Sequence, residues 1–180
     1  MVADLTAQEM MHLVEPLIPQ LRRYARAMLR NQAEADDLVQ DCLLRVIDRW
    51  HQRRQDGDAR AWVFAILHNL TLNHVKRKAR RGAHMALEDA AEDVFATQPR
   101  QEWALSHRDL QNALAALPEE QRSVLLLVTV EELSYAEAAL VLGIPAGTVM
   151  SRLSRARDRL MKMVEGGNIV PLNATTRRLK

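Results

Sequence analysis

Cysteine and aromatic residues are scarce in this sequence, and both scarcities narrow the classes of protein that it can encode. Cys42 is the single cysteine, so the chain can form no internal disulfide, which suits a reducing cytoplasm. Aromatic residues make up only 4% of the 180 residues, so Leu, Val, Ile, Ala and Met must supply most of the core. Because the chain also has only six glycines, this composition favours an all-α fold.

Long hydrophobic runs are also lacking. The longest apolar run, SVLLLVTV, falls far short of the roughly 20 residues that a membrane-spanning helix needs. The first residues, MVADLTAQEMM, lack the basic segment and the following apolar stretch of a secretory signal peptide. We therefore expect a soluble, cytoplasmic protein without membrane insertion.

The formal net charge is only +2, but the charges are unevenly distributed along the chain. Every charged residue from Arg60 to Arg81 is basic, acids dominate from Gly82 to Glu132, and the sequence turns basic again from Gly147. Two basic segments around an acidic middle suggest two contacts with one polyanion. Chance clustering on solvated helix faces is the alternative.

The stretch GAHMALEDAAEDVFATQPRQ, residues 82–101, has weak periodicity, a glycine and a proline, which predicts a flexible linker. It divides the chain into an N-terminal helical domain, residues 1–81, and a C-terminal one, residues 102–164. Residues 165–180 are predicted to form a flexible tail. The expected fold is therefore two small all-α domains joined by a flexible linker.

Two helices of the N-terminal half can be predicted from spacing. AEADDLVQDCLLRVIDRW carries apolar residues three and four positions apart at Val39, Cys42, Val46 and Trp50, so Cys42 is interpreted as a buried small hydrophobe. The helix before it, QLRRYARAML, is expected to stop at Asn31. AWVFAILHNLTLNHVKRKARR predicts one long helix, or two in series.

A helix-turn-helix is predicted in the C-terminal domain. Ser134 and Glu137 have capping-box spacing, Gly143 is a helix stop, and Pro145 restarts the helix. Two short helices separated by a few residues that include glycine are typical of this DNA-binding motif.

The second helix of this motif has two distinct faces. Its apolar stripe is Val149, Leu153, Ala156 and Leu160, and the opposite face carries Ser151, Ser154, Arg155 and Asp158. Small hydroxyls allow close approach to the major groove, and arginine can contact guanine or a phosphate. The alternative is an amphipathic helix whose basic face is only solvated.

Three stretches together resemble the extracytoplasmic-function sigma factors, which are transcription initiation subunits of bacterial RNA polymerase. They are RRYARAMLRNQAEADDLVQDCLLRVIDRW, ARAWVFAILHNLTLNHVKRKARR and LPEEQRSVLLLVTVEELSYAEAALVLGIPAGTVMSRLSRARDRL. The resemblance covers roughly Leu13 to Met163. It implies two helical domains that bind core RNA polymerase and recognise two promoter elements, without enzymatic activity. It also implies an anti-sigma factor as a partner.

The resemblance implies three sets of functional residues. Those expected to dock on core polymerase are Asp37, Gln40, Asp41 and Leu44. Those expected at the minus-10 element, with a base-recognising loop near Asn69, are Trp62, Asn69, Asn73, Lys76 and Arg77. Those expected at the minus-35 element are Thr148, Met150, Ser151, Arg152, Ser154 and Arg155.

Two of these assignments carry qualifications. Trp62, taken alone, fits core packing better than direct contact with a base. Family members often carry a basic residue where this chain has Met150, and methionine cannot donate a hydrogen bond to guanine. The preferred minus-35 sequence should therefore differ from the commonest one in the family.

Two rival functions are weighed against this interpretation. A helix-turn-helix regulator that acts without being a polymerase subunit explains the C-terminal half but leaves DDLVQDCLLRVIDRW unexplained. A metal-dependent enzyme would have to use Asp36, Asp37, His68 and His74, although His68 and His74 are six positions apart and share no helix face. No HExxH, CxxC or phosphate-binding glycine loop occurs, so no metal or cofactor is expected.

Overall fold

The computed structural model describes residues 2–54, 57–82 and 110–166, and within them all regular structure is helical. An N-terminal unit contains α1 (Val2–Val14), α2 (Ile18–Leu29), α3 (Gln32–Arg49) and α4 (Ala59–Gly82). Short 3-10 turns, Glu15–Leu17 and Trp50–Gln52, precede α2 and follow α3. A C-terminal unit contains α5 (residues 110–116), α6 (Glu119–Leu125), α7 (Tyr135–Leu142) and α8 (Ala146–Gly166).

The predicted linker and tail fall largely outside the described residues. Only Gly82 of the linker is described, as the last residue of α4, and α8 continues to Gly166. None of the described helices combines the length and the apolar content needed to cross a bilayer.

The joint between α2 and α3 is a single tight turn. Arg30 ends α2 in the left-handed region, with φ of 59°. Asn31 is extended, and its side-chain oxygen accepts a hydrogen bond from the Glu34 backbone N–H at 2.9 Å. Helix α2 ends two residues before Asn31, close to the expected stop, but Arg30 supplies the left-handed residue there and Asn31 is the N-cap of α3.

The core of the N-terminal unit lies among α2, α3 and α4. The predicted stripe residues Val39, Cys42 and Val46 are buried, and Trp50 is half-buried. Tyr24 packs edge-to-face on Phe64, with ring centroids 5.9 Å apart, as aromatic pairs prefer. The prediction that Cys42 is a buried hydrophobe is confirmed, and burial raises the pKa of its thiol to about 12.

A buried polar pair completes this core. The Tyr24 hydroxyl and Nδ1 of His68 are 2.8 Å apart and share a hydrogen bond. Burial lowers the pKa of His68 to about 4, and the nearby charge of Lys76 acts in the same direction. His68 is therefore a neutral, structural histidine at physiological pH.

Helix α4 is continuous, so the alternative of two helices in series is wrong. Asp58 caps its start, because one carboxylate oxygen accepts from the backbone N–H of Arg60 at 2.7 Å and of Ala61 at 3.3 Å. A base-recognising loop was expected near Asn69, but Asn69 lies in the middle of α4 on its exposed side. The loop of this region is instead the joint between α3 and α4.

The C-terminal unit contains the predicted helix-turn-helix. The Ser134–Glu137 capping box is present, and Gly143 ends α7 in the left-handed region with φ of 63°. Helix α6 begins at Glu119, with Pro118 as its N-cap, and is followed by a π-helical turn at Leu126–Val130. Val149, Leu153 and Ala156 of α8 are buried, as the apolar stripe predicts.

The two units pack against each other along a seam. Helix α2 contacts α6, helix α4 contacts α7, and buried residues of both units form one continuous core. Glu131 is the polar centre of the seam: Arg23 pairs with its carboxylate, and the Arg60 guanidinium donates to its backbone carbonyl.

A second polar contact joins the start of α4 to the start of α7. The Asp58 and Glu137 side chains share a hydrogen bond, which raises the pKa of Asp58. The same bond, with those from Ser134, lowers the pKa of Glu137 to about 2. In acid, Asp58 therefore takes up a proton before Glu137 does.

Candidate functional site

The outer face of α3 carries acids around two exposed apolar side chains. Asp37, Gln40, Asp41 and Leu44, all expected to dock on polymerase, are exposed together on this face. Leu44 is 65% exposed, and Ile47, one turn further along, is 58% exposed. We call these five residues the docking face. Ile47 was missed by the sequence reasoning, although its i, i+3 spacing from Leu44 could have revealed it.

Packing on the opposite side of α3 explains why the docking face is free. The buried stripe, Ala35, Leu38, Val39, Cys42 and Val46, fixes the rotation of the helix. Asp36 lies off the docking face, because the Arg26 guanidinium donates to both of its carboxylate oxygens at 3.0 and 3.1 Å. Adjacent aspartates thus have different surroundings, since Asp36 is in an ion pair and Asp37 is exposed.

The outer side of α4 brings together most of the residues expected at the minus-10 element. Asn69, Asn73, Lys76 and Arg77 are all exposed, and the first three follow an i, i+4, i+7 row. Val63, Leu67 and Leu70 are buried on the other side. We call the exposed row the amide–cation row.

Trp62 does not belong to that row. It is half-buried and packs edge-to-face on Trp50, with ring centroids 6.0 Å apart. The Arg53 guanidinium lies 4.7 Å from the centroid of the Trp50 ring. The structure therefore gives Trp62 the packing role that its sequence context favoured.

A cavity of about 400 Å³ opens beside Trp62 at the joint between α3 and α4. Its walls include Arg53, Gly57, Asp58 and Trp62, and Leu140 of α7 closes one side. In the sequence, Arg53 and Arg54 lie between Trp50 and Trp62, and this combination of arginine with tryptophan is the signal that could have drawn attention to this cavity.

The outward face of α8 agrees with the face predicted from sequence. Met150 is 51% exposed, and Ser151, Ser154 and Arg155 are exposed with it. Thr148 is half-buried, and its backbone carbonyl accepts the Ser151 hydroxyl at 3.1 Å.

Arg152 is placed differently from its neighbours. It is half-buried, and its guanidinium lies 2.7 Å from a carboxylate oxygen of Glu120 on α6. This ion pair links α8 to α6 and places an acid beside one of the arginines expected at DNA.

The residues of the metal-enzyme alternative are dispersed. Asp36 is in an ion pair with Arg26, His68 bonds to Tyr24, and His74 lies 3.1 Å from Glu34. Across residues 2–54, 57–82 and 110–166, no three His, Cys, Asp or Glu side chains are grouped as metal ligands would be.

Comparison with known families matches both units. The family described as the Sigma2 domain of PhyR matches residues 14–68, and the family described as Sigma-70, region 4 matches residues 107–160. The first match covers α2, α3 and the start of α4, and the second covers the helix-turn-helix.

Individual relatives extend over most of the chain. The ECF RNA polymerase sigma factor EcfG of Rhodopseudomonas palustris is 35% identical over 150 residues, which are 82% of this chain and 80% of that protein. The factor SigE of Mycolicibacterium smegmatis is 37% identical over 152 residues, 82% of this chain and 58% of that protein. The solved structure of the sigma factor RpoE of Bartonella quintana, in complex with the anti-sigma factor NepR, superposes with a TM-score of 0.72 at 27% identity, over 84% of this chain and 94% of that one. The chain therefore belongs to the extracytoplasmic-function sigma factors, which bind core RNA polymerase and direct it to promoters.

Proposed function

We propose that the docking face of α3 binds core RNA polymerase, that the amide–cation row of α4 contacts the minus-10 element, and that the outward face of α8 contacts the minus-35 element. The observation that carries this proposal is the pair Leu44 and Ile47, two large apolar side chains left exposed in an acidic surround. A surface helix normally buries such side chains, and a rim of charge around exposed apolar groups is typical of a protein interface.

The amide–cation row suits a strand whose bases are turned out of the stack. Asn69 and Asn73 offer both donors and acceptors to the edges of bases, and Lys76 and Arg77 can neutralise phosphates. The row faces away from the core, so it can contact DNA without unfolding α4. Trp62, whose ring packs on Trp50, supports the start of the helix and positions the loop beside the 400 Å³ cavity.

The outward face of α8 suits the major groove. Ser151 and Ser154 let the helix approach closely, and Arg155 can donate two hydrogen bonds to guanine. Met150 offers only apolar contact, as to a thymine methyl group. Arg152 is the member of the set held in an ion pair, so it acts by orienting the helix and reaches a phosphate only if Glu120 releases it.

Binding to both promoter elements requires the seam to open. Helices α4 and α8 both pack on α7. Because the axes of packed helices are about 8–10 Å apart, the axes of α4 and α8 come within about 20 Å of each other. The two promoter elements are about 25 base pairs apart by their names, or about 85 Å at 3.4 Å per pair. We infer that the closed arrangement is a resting state and that the promoter-bound state separates the two units.

A protein partner and a cellular setting follow from the same proposal. The sigma factor RpoE of Bartonella quintana was solved with the anti-sigma factor NepR, and we propose that an anti-sigma factor also binds this chain. The chain acts in the cytoplasm, has no enzymatic activity of its own and needs no cofactor.

Co-elution with core RNA polymerase tests the docking proposal. The wild-type chain should form a stoichiometric complex with core enzyme on size exclusion, in the absence of DNA. A helix-turn-helix regulator would instead bind duplex DNA alone and elute separately from core enzyme. That second pattern would contradict the proposal.

A further inference from the structure

A cavity of about 290 Å³ lies where the two helical units meet, on the side of the seam away from Trp62. Its walls come from the end of α2, the start of α3, the second half of α4, and α6. Both units therefore contribute to it. A cavity of this size can enclose a small ligand but not a nucleic-acid duplex.

The cavity is lined by more cationic groups than acids. Three cationic side chains, Arg30, Lys78 and Arg122, line it together with His74, and Glu34 is the one acid among its lining residues. Glu34 is already engaged, because Nε2 of His74 and Nζ of Lys78 lie 3.1 and 3.0 Å from its two carboxylate oxygens. The charges of Arg30 and Arg122 are left without an ion-pair partner in the cavity wall.

Among the described residues that line the cavity, Arg122 has a buried donor that lacks a partner. Its Nε is buried and has no hydrogen-bond partner among the described residues. Burial lowers the pKa of its guanidinium, and the charge of Arg30 adds to that effect while Glu119 opposes it. A buried donor without an acceptor is costly, so a structure normally supplies a partner for it.

Arg30 lines the same cavity but belongs to the N-terminal unit. It ends α2 in the left-handed conformation, and its guanidinium also donates across the seam to the side-chain oxygen of Asn112 at 3.2 Å. Two arginines that line one cavity repel each other unless an anion lies between them. Guanidinium groups bind phosphate with paired hydrogen bonds, which suits them to bridge through such an anion.

We propose that this cavity binds a small phosphate-bearing anion that bridges Arg30 of the N-terminal unit and Arg122 of the C-terminal unit. The bound anion accepts hydrogen bonds from both guanidinium groups, and Lys78 adds positive charge at the rim. Because the site is built from both units, the anion binds the closed arrangement in preference to an open one. At concentrations above its dissociation constant, the anion therefore stabilises the closed seam.

Isothermal titration calorimetry of the full-length chain with inorganic pyrophosphate tests the proposal. The buffer should contain about 0.15 M sodium chloride, which screens loose surface attraction, and no phosphate or sulfate. We expect saturable binding of one pyrophosphate, weakened about tenfold or more by Arg122→Gln and by Arg30→Gln. Arg49→Gln removes an exposed arginine on α3 and is the matched control, which should bind like wild type.

Three results would overturn the proposal. One is the lack of saturable binding up to about 10 mM pyrophosphate, where even a weak site would fill. Another is an equal affinity in wild type, Arg30→Gln and Arg122→Gln, with all three folds confirmed by circular dichroism. The last is displacement of pyrophosphate by short duplex DNA with the same dependence on Arg122, which would assign the two arginines to the DNA backbone instead.

Discussion

Arg23 on α2 and Glu131 after α6 form a bidentate ion pair across the seam. The guanidinium Nε of Arg23 lies 2.9 Å from one carboxylate oxygen of Glu131, and a terminal nitrogen lies 2.7 Å from the other. The two partners differ sharply in exposure. The Glu131 side chain is completely buried, whereas that of Arg23 is 44% exposed. The Glu131 carboxylate also raises the pKa of Arg23, chiefly through the hydrogen bond. Removing Arg23 and removing Glu131 should therefore destabilise the closed arrangement by different amounts.

Arg23→Ala should destabilise the closed arrangement more than Glu131→Gln. Loss of Arg23 leaves a buried, unpaired carboxylate, which costs about 3 kcal/mol, whereas glutamine is neutral and keeps an acceptor for Arg23 at a cost of about 1 kcal/mol. Urea unfolding gives the free energies, and small-angle scattering gives the separation of the units. Arg22→Ala is the control, because its contact with Asp36 is 3.9 Å long and exposed. Equal effects of the two seam variants would contradict the asymmetry.

His68 should make the folded chain less stable in mild acid. Its pKa is about 4 when folded and about 6.5 when unfolded, so the unfolded chain takes up the proton first. The stability due to neutral His68 is complete above about pH 6.5 and falls as the pH approaches 4, by up to about 1.4 kcal/mol per pH unit. Unfolding free energies measured between pH 4 and 7 should show this slope, and His68→Gln should reduce it. His51→Gln, an exposed histidine, should leave the slope unchanged. An NMR titration of His68 with a midpoint near 6.5 would refute the prediction.

Reversing charge on the docking face should weaken binding to core polymerase. The double variant Asp37→Lys with Asp41→Lys changes only exposed side chains, so its helicity and unfolding midpoint should match wild type. Ile47→Ala should also weaken binding, about tenfold or more if Ile47 is an anchor of the interface. Glu15→Lys, an exposed acid outside the docking face, is the control. Unchanged affinity of both docking variants in a titration with core enzyme would remove this face from consideration.

Asn69→Ala should impair promoter opening more than polymerase binding. Asn69 leads the amide–cation row and is exposed, so its loss should not disturb α4. Alanine cannot form hydrogen bonds with a base edge, and one lost contact should reduce opening about tenfold on the promoters that depend on it. Permanganate footprinting measures opening directly. Normal footprints on every promoter tested would show that Asn69 does not recognise a base.

Substitutions on α8 should change sequence preference, not merely affinity. Arg155→Ala should remove about 1–3 kcal/mol of discrimination at one base pair, and Met150→Arg should shift the preferred minus-35 sequence towards guanine. Arg159, exposed one turn beyond Arg155, is our candidate for a phosphate contact, and its loss should instead weaken binding about equally on all sequences. Selection from a randomised minus-35 library distinguishes these cases. An identical motif from wild type, Arg155→Ala and Met150→Arg would show that α8 does not recognise bases.

The spacing of residues along the sequence predicted the helices and their buried faces. It did not predict contacts between residues that are far apart in the sequence. The buried stripe of α8 and the Ser134–Glu137 cap depend on neighbours within a turn or two, so spacing alone reveals them. The role of Asn31 as the N-cap of α3 was missed because asparagine suits a helix end and a helix start equally well, and only the left-handed turn at Arg30 decides between them. Glu131 joins Arg23 across 108 positions of sequence, and no periodicity encodes such a pair. Glu131 looks from sequence like one more exposed acid, and only the packing of α6 against α2 buries it.

Run-off transcription with purified core RNA polymerase and a randomised promoter library tests the central claim most directly. We expect transcripts only when both the chain and core enzyme are present, from templates that share two separated sequence elements at minus-35 and minus-10. Asp37→Lys with Asp41→Lys should abolish most transcripts, and Arg155→Ala should change the minus-35 element alone. Binding of the chain to a single duplex motif, with no transcript when it is the only initiation factor supplied to core enzyme, would contradict the account.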